Sequence, residues 1–364
     1  MAATTRATDP AAGTMAGQIR GSARGRAQMP LSILDLATMG VGQSPSEALA
    51  TTTGLAQRAE AWGYHRFWVA EHHGMPAIAS SAPAVLLAHL GAVTRTIRLG
   101  AGGVMLPNHA PLIVAEQFGM LHALHPGRID LGLGRATNAA TVSALGRPQD
   151  SVNLFPQQVA ELADYLDDEF PAGHRSATIR AVPGSSVAPE GGRPPIWLLG
   201  SSEASAKLAG TLGLPLAFAH HFSAKSTVPA LQLYRRSFQP SAYLDKPYAL
   251  ISVAAIAADT TEQAQWLSGS AALLMVLMRR GKPGPVPSPE EAAAYPYTPQ
   301  ERELVDPRRS TMVLGDAATV RKDLAKLRAR TGADELMITA MVHDPAARYR
   351  SFELIARACG MTEG

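Results

Sequence analysis

Residues 31–70 read LSILDLATMG VGQSPSEALA TTTGLAQRAE AWGYHRFWVA, and this stretch holds the repeating unit of the fold. Leu31–Ala37 is a short apolar run of strand length. Ser46–Trp62 follows as a helix, with Ser46 as N-cap and Leu49, Leu55, Ala59 and Trp62 near helical spacing. Gly63 supplies the stop, because glycine takes the left-handed conformation that ends a helix. Arg66–Ala70 then begins the next strand.

The unit recurs along the chain. Strands are predicted at Ile97–Ala101, Arg128–Leu133, Pro195–Leu199, Leu216–Ala219, Tyr248–Ala257 and Glu335–Met341. Helices are predicted at Pro83–Val93, Leu112–Leu124, Glu203–Leu212, Val228–Phe238, Thr260–Arg279, Ala317–Arg330 and Pro345–Ala358, with two more before Asp168. Such alternation implies a parallel sheet, since parallel neighbours need long crossovers. Gly132-Leu133-Gly134 starts a dinucleotide fingerprint, but no third glycine completes it and it opens no first helix. The predicted fold is therefore a closed (β/α)8 TIM barrel with insertions, which needs about 250 residues.

The remaining length lies in an N-terminal extension, residues 1–28, and in two Pro-rich stretches, 171–195 and 281–307, interrupting a single barrel domain over residues 29–364. The extension lacks an apolar period and is expected to be flexible. The stretch Gly281–Pro307, with seven prolines, is expected to be a structureless mobile lid over the barrel mouth.

Composition narrows the function. The chain is 46% hydrophobic and 17% charged, which suits a globular core. Its formal charge of +3 is all accounted for by the extension, where Arg6, Arg20, Arg24 and Arg26 face only Asp9. The barrel itself carries no basic stripe, which argues against a nucleic-acid partner. A membrane span and a secretory signal are not expected either. Cys359 is the single cysteine and has neither a disulfide partner nor metal-binding spacing. A cytoplasmic location is expected.

In a barrel the chemistry sits where the strands end. Strand one ends near Asp35, strand two at Glu71-His72-His73, and strand three at Gly102-Gly103, followed by Asn108-His109. Strand four ends at Gly134-Arg135, strand five at Gly200-Ser201-Ser202, and strand six at Ala219-His220-His221. Each has a plainer reading: histidines paired with carboxylates, glycines that turn the chain, serines that cap a helix. Five consecutive strand ends with imidazole, small or anion-binding residues point to a site. A metal is not expected, because adjacent His72 and His73 point to opposite faces. Nucleophilic hydrolysis has no Gly-x-Ser-x-Gly to carry it.

Trp68-Val69-Ala70-Glu71-His72-His73, Leu99–Pro107, Gly127–Arg135 and Gly213–Phe222 together resemble the bacterial luciferase-like flavin-dependent monooxygenases. The likeness is to the single-subunit branch that includes antibiotic-tailoring enzymes of actinobacteria. It runs from about Leu31 to Ala358. The resemblance implies FMN as cofactor, bound reduced as FMNH2 and activating O2 through a C4a-peroxyflavin. A separate NAD(P)H-dependent flavin reductase would supply the FMNH2, and the chain would form a homodimer. The substrate would be a small or polyketide-like molecule that is hydroxylated, epoxidised or given an inserted oxygen. His72 would be the catalytic histidine. Gly102 and Gly103 would face the isoalloxazine ring, often through a cis peptide. Gly134, Arg135, Gly200, Ser201 and Ser202 would surround the phosphate. Ala219 and His220 would complete the cofactor site, with Asp35, Glu71, Asn108 and His109 behind it or facing substrate. Light emission is not implied, since Gly134 and Gly200 replace a Cys and a Glu of the light-emitting subunit. A deazaflavin-dependent oxidoreductase and a non-catalytic flavin-binding protein are the alternatives on the same barrel.

Overall fold

All pairings among the named strands are parallel in the computed structural model, which describes residues 14–20, 30–136, 139–148, 150–174, 176–184 and 193–361. The strands are β1 (Leu31–Asp35), β2 (Arg66–Val69), β3 (Arg98–Met105), β4 (Ile129–Gly134), β5 (Ile196–Gly200), β6 (Leu216–Phe218), β7 (Ala249–Ala257), β8 (Val313–Gly315) and β9 (Glu335–Thr339). β1 through β7 pair in sequence order, β7 pairs with β9, and β9 returns to β1. Eight strands thus close a TIM barrel. The short β8 lies outside the ring, continuing beside the end of β7 at Ala255↔Val313.

Helices cover the outside, so most barrel residues are buried on both faces, as parallel sheets require. The first helix begins earlier than the sequence suggested. Ser44, not Ser46, is its N-cap: Ser44 Oγ accepts from the Glu47 amide at 3.2 Å, and Glu47 Oε2 accepts from the Ser44 amide at 2.8 Å. Pro45 takes the first helical position, where its missing N–H costs nothing. Gly63 follows the helix with φ +81°, as predicted.

Two expectations need correction. Gly281–Pro307 is not structureless: it contains helices Pro289–Ala294 and Pro299–Arg309. Two of its prolines, Pro289 and Pro299, start helices here, each behind a reciprocal cap, Ser288 with Glu291 and Thr298 with Glu301. Val286 is fully buried, and its amide and carbonyl bond Met39 and Val41 in the loop after β1. Within the expected extension, Met15–Arg20 is a helical turn with Ile19 fully buried against the core. Met15 and Ile19 are four residues apart, about one helical turn, so they share a face.

That turn meets the barrel floor, where charges are buried. Arg66, at the start of β2, places Nη1 2.9 Å from Asp130 Oδ2 and Nε 2.8 Å from Glu335 Oε1. Its Nη2 donates to the Ile19 carbonyl. Tyr248 donates to Glu335 at 2.9 Å, and Arg98 pairs with Asp130. Burial works against the charge on Arg66, but Glu335 and Asp130 more than offset it. Removing one partner from such a group costs about 3–5 kcal/mol.

Candidate functional site

The strand ends converge at the opposite rim. The loop after β2 is built around Glu71, whose carboxylate is buried and takes four partners. Oε1 accepts from His73 Nε2 at 2.8 Å, His109 Nε2 at 2.9 Å and Asn108 Nδ2 at 3.2 Å, while Oε2 accepts from the Met105 amide at 3.0 Å. Burial favours the neutral acid, but the hydrogen bonds and charge of His109 and His73 and the Met105 amide win, and the carboxyl stays below its usual range. Glu71, Asn108 and His109 are therefore brought together as one brace between the β2 and β3 loops.

The two adjacent histidines separate. His73 is taken up by Glu71, the plainer reading for one of the pair. His72 meets Glu71 and His73 only through charge, and burial holds its imidazole below the usual histidine value. It is a largely neutral base at neutral pH. Asp35 does not join the site. It faces the helices outside the barrel, where Thr52 donates to it at 2.6 Å and Arg348 pairs with it.

On β3 the peptide Gly102–Gly103 is cis, and the pairing with β4 shifts between Ala101 and Val104. A Cβ on Gly103 would lie 2.8 Å from the Gly132 carbonyl oxygen. Only glycine fits there. Gly134 faces Met105, whose flexible methyl group lies 2.7 Å from where a Cβ would be.

Arg135 and Ser201 are exposed at the ends of neighbouring strands, paired in register at Leu133↔Leu198. The N-terminus of helix Glu203–Thr211 opens beside them. Ser202 is less free than expected. It is the N-cap of that helix, accepting from the Ser205 amide at 3.4 Å while Ser205 Oγ donates to the Ser202 carbonyl at 2.7 Å. Gly200 is required by Ser205, whose Oγ would lie 2.0 Å from a Cβ there. Its carbonyl accepts from the half-buried Ala219 at 2.8 Å.

His220 turns away from the mouth. It is buried, with Nδ1 2.7 Å from Thr227 Oγ1, and burial, with Arg330, lowers it to about 4. Its neighbour His221 is partly exposed at the same strand end. His221 Nδ1 lies 2.9 Å from Ser252 Oγ on β7, and its ring packs on Phe222 with centroids 4.1 Å apart. Burial lowers it to about 4, and the charge of His72 contributes. β2 and β6 stand opposite each other in the ring, so the two histidine pairs follow strands on opposite sides of the barrel. The sequence named His221 at the end of strand six but singled out His220, and it did not name Ser252; the alternation that split His72 from His73 applies equally to His220 and His221. Arg308, from the second inserted helix, reaches over Phe222 at 5.8 Å. Among the described residues no group of three or more His, Cys, Asp or Glu is arranged to hold a metal ion. No helix among them is long and apolar enough to cross a membrane.

The ends of the barrel strands thus carry two histidine pairs, a cis Gly102–Gly103 peptide and the exposed Arg135 and Ser201. The chain belongs to the luciferase-like monooxygenase family, whose sequence model matches residues 29–335. A luciferase-like monooxygenase of Escherichia coli is 47% identical over 326 residues, 89% of this chain and 95% of that one. The N-acetyl-S-alkylcysteine monooxygenase of Bacillus subtilis is 36% identical, covering 90% of this chain and 97% of the relative. The crystal structure of apo-MsnO8 superposes with a TM-score of 0.83 at 36% identity, covering 92% of this chain and 99% of that one. The protein is thus an oxidoreductase of the monooxygenase type, with the barrel that its sequence predicted.

Proposed function

We propose that this enzyme is an FMNH2- and O2-dependent monooxygenase of a small or polyketide-like substrate, served by a separate NAD(P)H-dependent flavin reductase and acting as a cytoplasmic homodimer. The observation that carries the reading is the division of labour in the β2 loop: Glu71 immobilises His73 and the β3 loop, leaving His72 as a desolvated base at the mouth.

The residues present fit a flavin mononucleotide. Arg135, Ser201 and the free amides at the start of helix Glu203–Thr211 form a donor set for a phosphate monoester. Ser202 shapes this corner as the helix cap, its hydroxyl accepting from the Ser205 amide and its own amide donating to Ser205 Oγ, both at 3.4 Å. Gly102 and Gly103 give the planar ring a wall without side chains. When bound, reduced FMN supplies the electrons that activate O2. His72 would hold or move a proton at the oxygen being transferred, a task suited to an imidazole that is neutral at neutral pH. His221, held by Ser252 Oγ at 2.9 Å, would line the side contributed by β6 and β7. Hydroxylation, epoxidation and oxygen insertion all use this arrangement.

Anaerobic titration with FMNH2 and, separately, with reduced deazaflavin, followed by O2, tests the proposal. Tight FMNH2 binding and O2-dependent oxygenation are expected. Preference for deazaflavin, or flavin binding with no oxygenation of any substrate tried and no effect of losing His72, would overturn it.

A further inference from the structure

We infer that Trp68 is a positioning residue for the glycine edge of β3, a strut that carries the geometry of the barrel floor to the mouth. The inference rests on the flavin reading for what the mouth holds, but not for the strut itself.

Trp68 is fully buried on β2 and pairs in register with Gly100 of β3. A Cβ on Gly100 would lie 2.4 Å from Trp68 Nε1, and one on Gly102 would lie 3.1 Å from Trp68 Cε3. The indole therefore lies along the inner face of β3 from Gly100 to Gly102, which is open only because both residues are glycine. Its two ends are held differently. Nε1 donates to Asp130 Oδ2 at 3.1 Å, the same oxygen that takes Arg66 Nη1 at 2.9 Å. The Cε3 edge bears on Gly102, next to Gly103.

The ring has little room to turn. Trp197 packs edge-on against it at 5.2 Å, and Arg66 lies over Trp197 at 4.7 Å. A hydrogen bond to a charged acceptor fixes one end, and close packing fixes the other. The floor in turn leans on the chain's own N-terminus, because the Ile19 carbonyl accepts from Arg66 Nη2. The helix Met15–Arg20 precedes residue 29, where the family match begins. The support lies outside the matched region and is linked to the mouth through Arg66, Asp130 and Trp68.

If Trp68 merely filled the core, replacing it would change stability and nothing else. Three variants separate the cases: Trp68→Phe, Gly102→Ala, and a chain lacking residues 1–20. Affinity for FMN and for riboflavin is measured by flavin fluorescence, with the absorption spectrum of bound flavin and thermal unfolding recorded alongside. Trp68→Phe should weaken both ligands equally, by about fivefold to tenfold, and shift the bound-flavin bands, because the ring seat moves and the phosphate corner does not. Gly102→Ala should act likewise, because its methyl group would press on Leu34 Cδ1 at 2.7 Å and on the indole edge at 3.1 Å. The shortened chain should show the same equal weakening. A lowered melting temperature with unchanged affinity and spectrum would overturn the strut. Should Trp68→Phe not fold, the other two variants decide on the same readouts. If wild type binds neither flavin, the flavin reading fails by itself. The strut is then judged by hydrogen exchange at the Gly102 and Gly103 amides, which should quicken in all three variants; unchanged exchange would overturn it.

Discussion

His109 Nε2 lies 2.9 Å from Oε1 and 3.0 Å from Oε2 of Glu71, so one buried carboxylate fastens the β3 loop to the β2 loop. Glu71→Gln keeps the size and removes the charge, and should cost about 1–3 kcal/mol of stability. The carboxyl is held below its ordinary value of 4.5, so its contribution is complete above that pH and fades as the pH falls through the folded value. Melting curves of wild type and Glu71→Gln should therefore differ at pH 7 and converge in acid.

The separation of the paired histidines gives a kinetic test. His72→Ala should lower turnover by about a hundredfold or more, the usual weight of a positioned proton donor or acceptor. His73→Ala should act mainly through looser packing of Glu71, and part of its loss should return with His73→Gln. The opposite ranking in single-turnover kinetics would reverse the assignment.

Acid should also act through His221. An unfolded histidine gains its proton near pH 6.5, whereas burial delays this in His221 to about 4. Stability from keeping it neutral is whole above pH 6.5 and is lost as the pH falls from 6.5 towards 4. His221→Gln should flatten that part of a stability-against-pH profile, leaving the slope that belongs to His65 and His220.

At the phosphate corner the three polar residues should differ. Arg135→Ala should weaken FMN by about tenfold to a hundredfold while riboflavin changes little. Ser201→Ala should move the same ratio less. Ser202→Ala should cost about 1 kcal/mol of stability through the lost cap and leave the ratio nearly unchanged. An unchanged FMN-to-riboflavin ratio in Arg135→Ala would place the phosphate elsewhere.

The inserted helices predict slow proteolysis between Gly281 and Pro307. Glu301 holds Arg280 at 2.7 Å and caps Thr298, so Thr298→Ala should cost about 1 kcal/mol and expose the segment to cleavage. Cleavage at equal rates in wild type and variant would show that the caps do not secure it.

The barrel was legible because alternation between apolar runs and amphipathic segments is a local property that survives in one sequence. The rim was legible for the same reason, since strand ends can be numbered without coordinates. Three things were not. Pro289 and Pro299 read as breakers by composition, yet each stands at the first helical position behind a cap. Ile19 reads as part of a polar tail, because its apolar partners lie in the distant core. Asp35 reads as a strand-end acid, but its partner Arg348 lies more than three hundred residues away and draws it outwards. The last two misses are long-range contacts overriding a local pattern, whereas the first is a local capping pattern, Ser288 with Glu291 and Thr298 with Glu301, that proline content masks.

The pairing of β1 with β9, at Leu31↔Leu336 through Ile33↔Ile338, has a consequence for the newborn chain. The two edges that close the ring are separated by roughly 300 residues, so a ribosome adding ~5–20 residues per second takes roughly 15–60 s to deliver the second. Throughout that interval the apolar β1 presents one unsatisfied edge, a template for pairing with other chains. Crowding of nascent copies is therefore the stage at which this barrel is exposed to aggregation, and a message truncated before Glu335 yields a sheet that never closes.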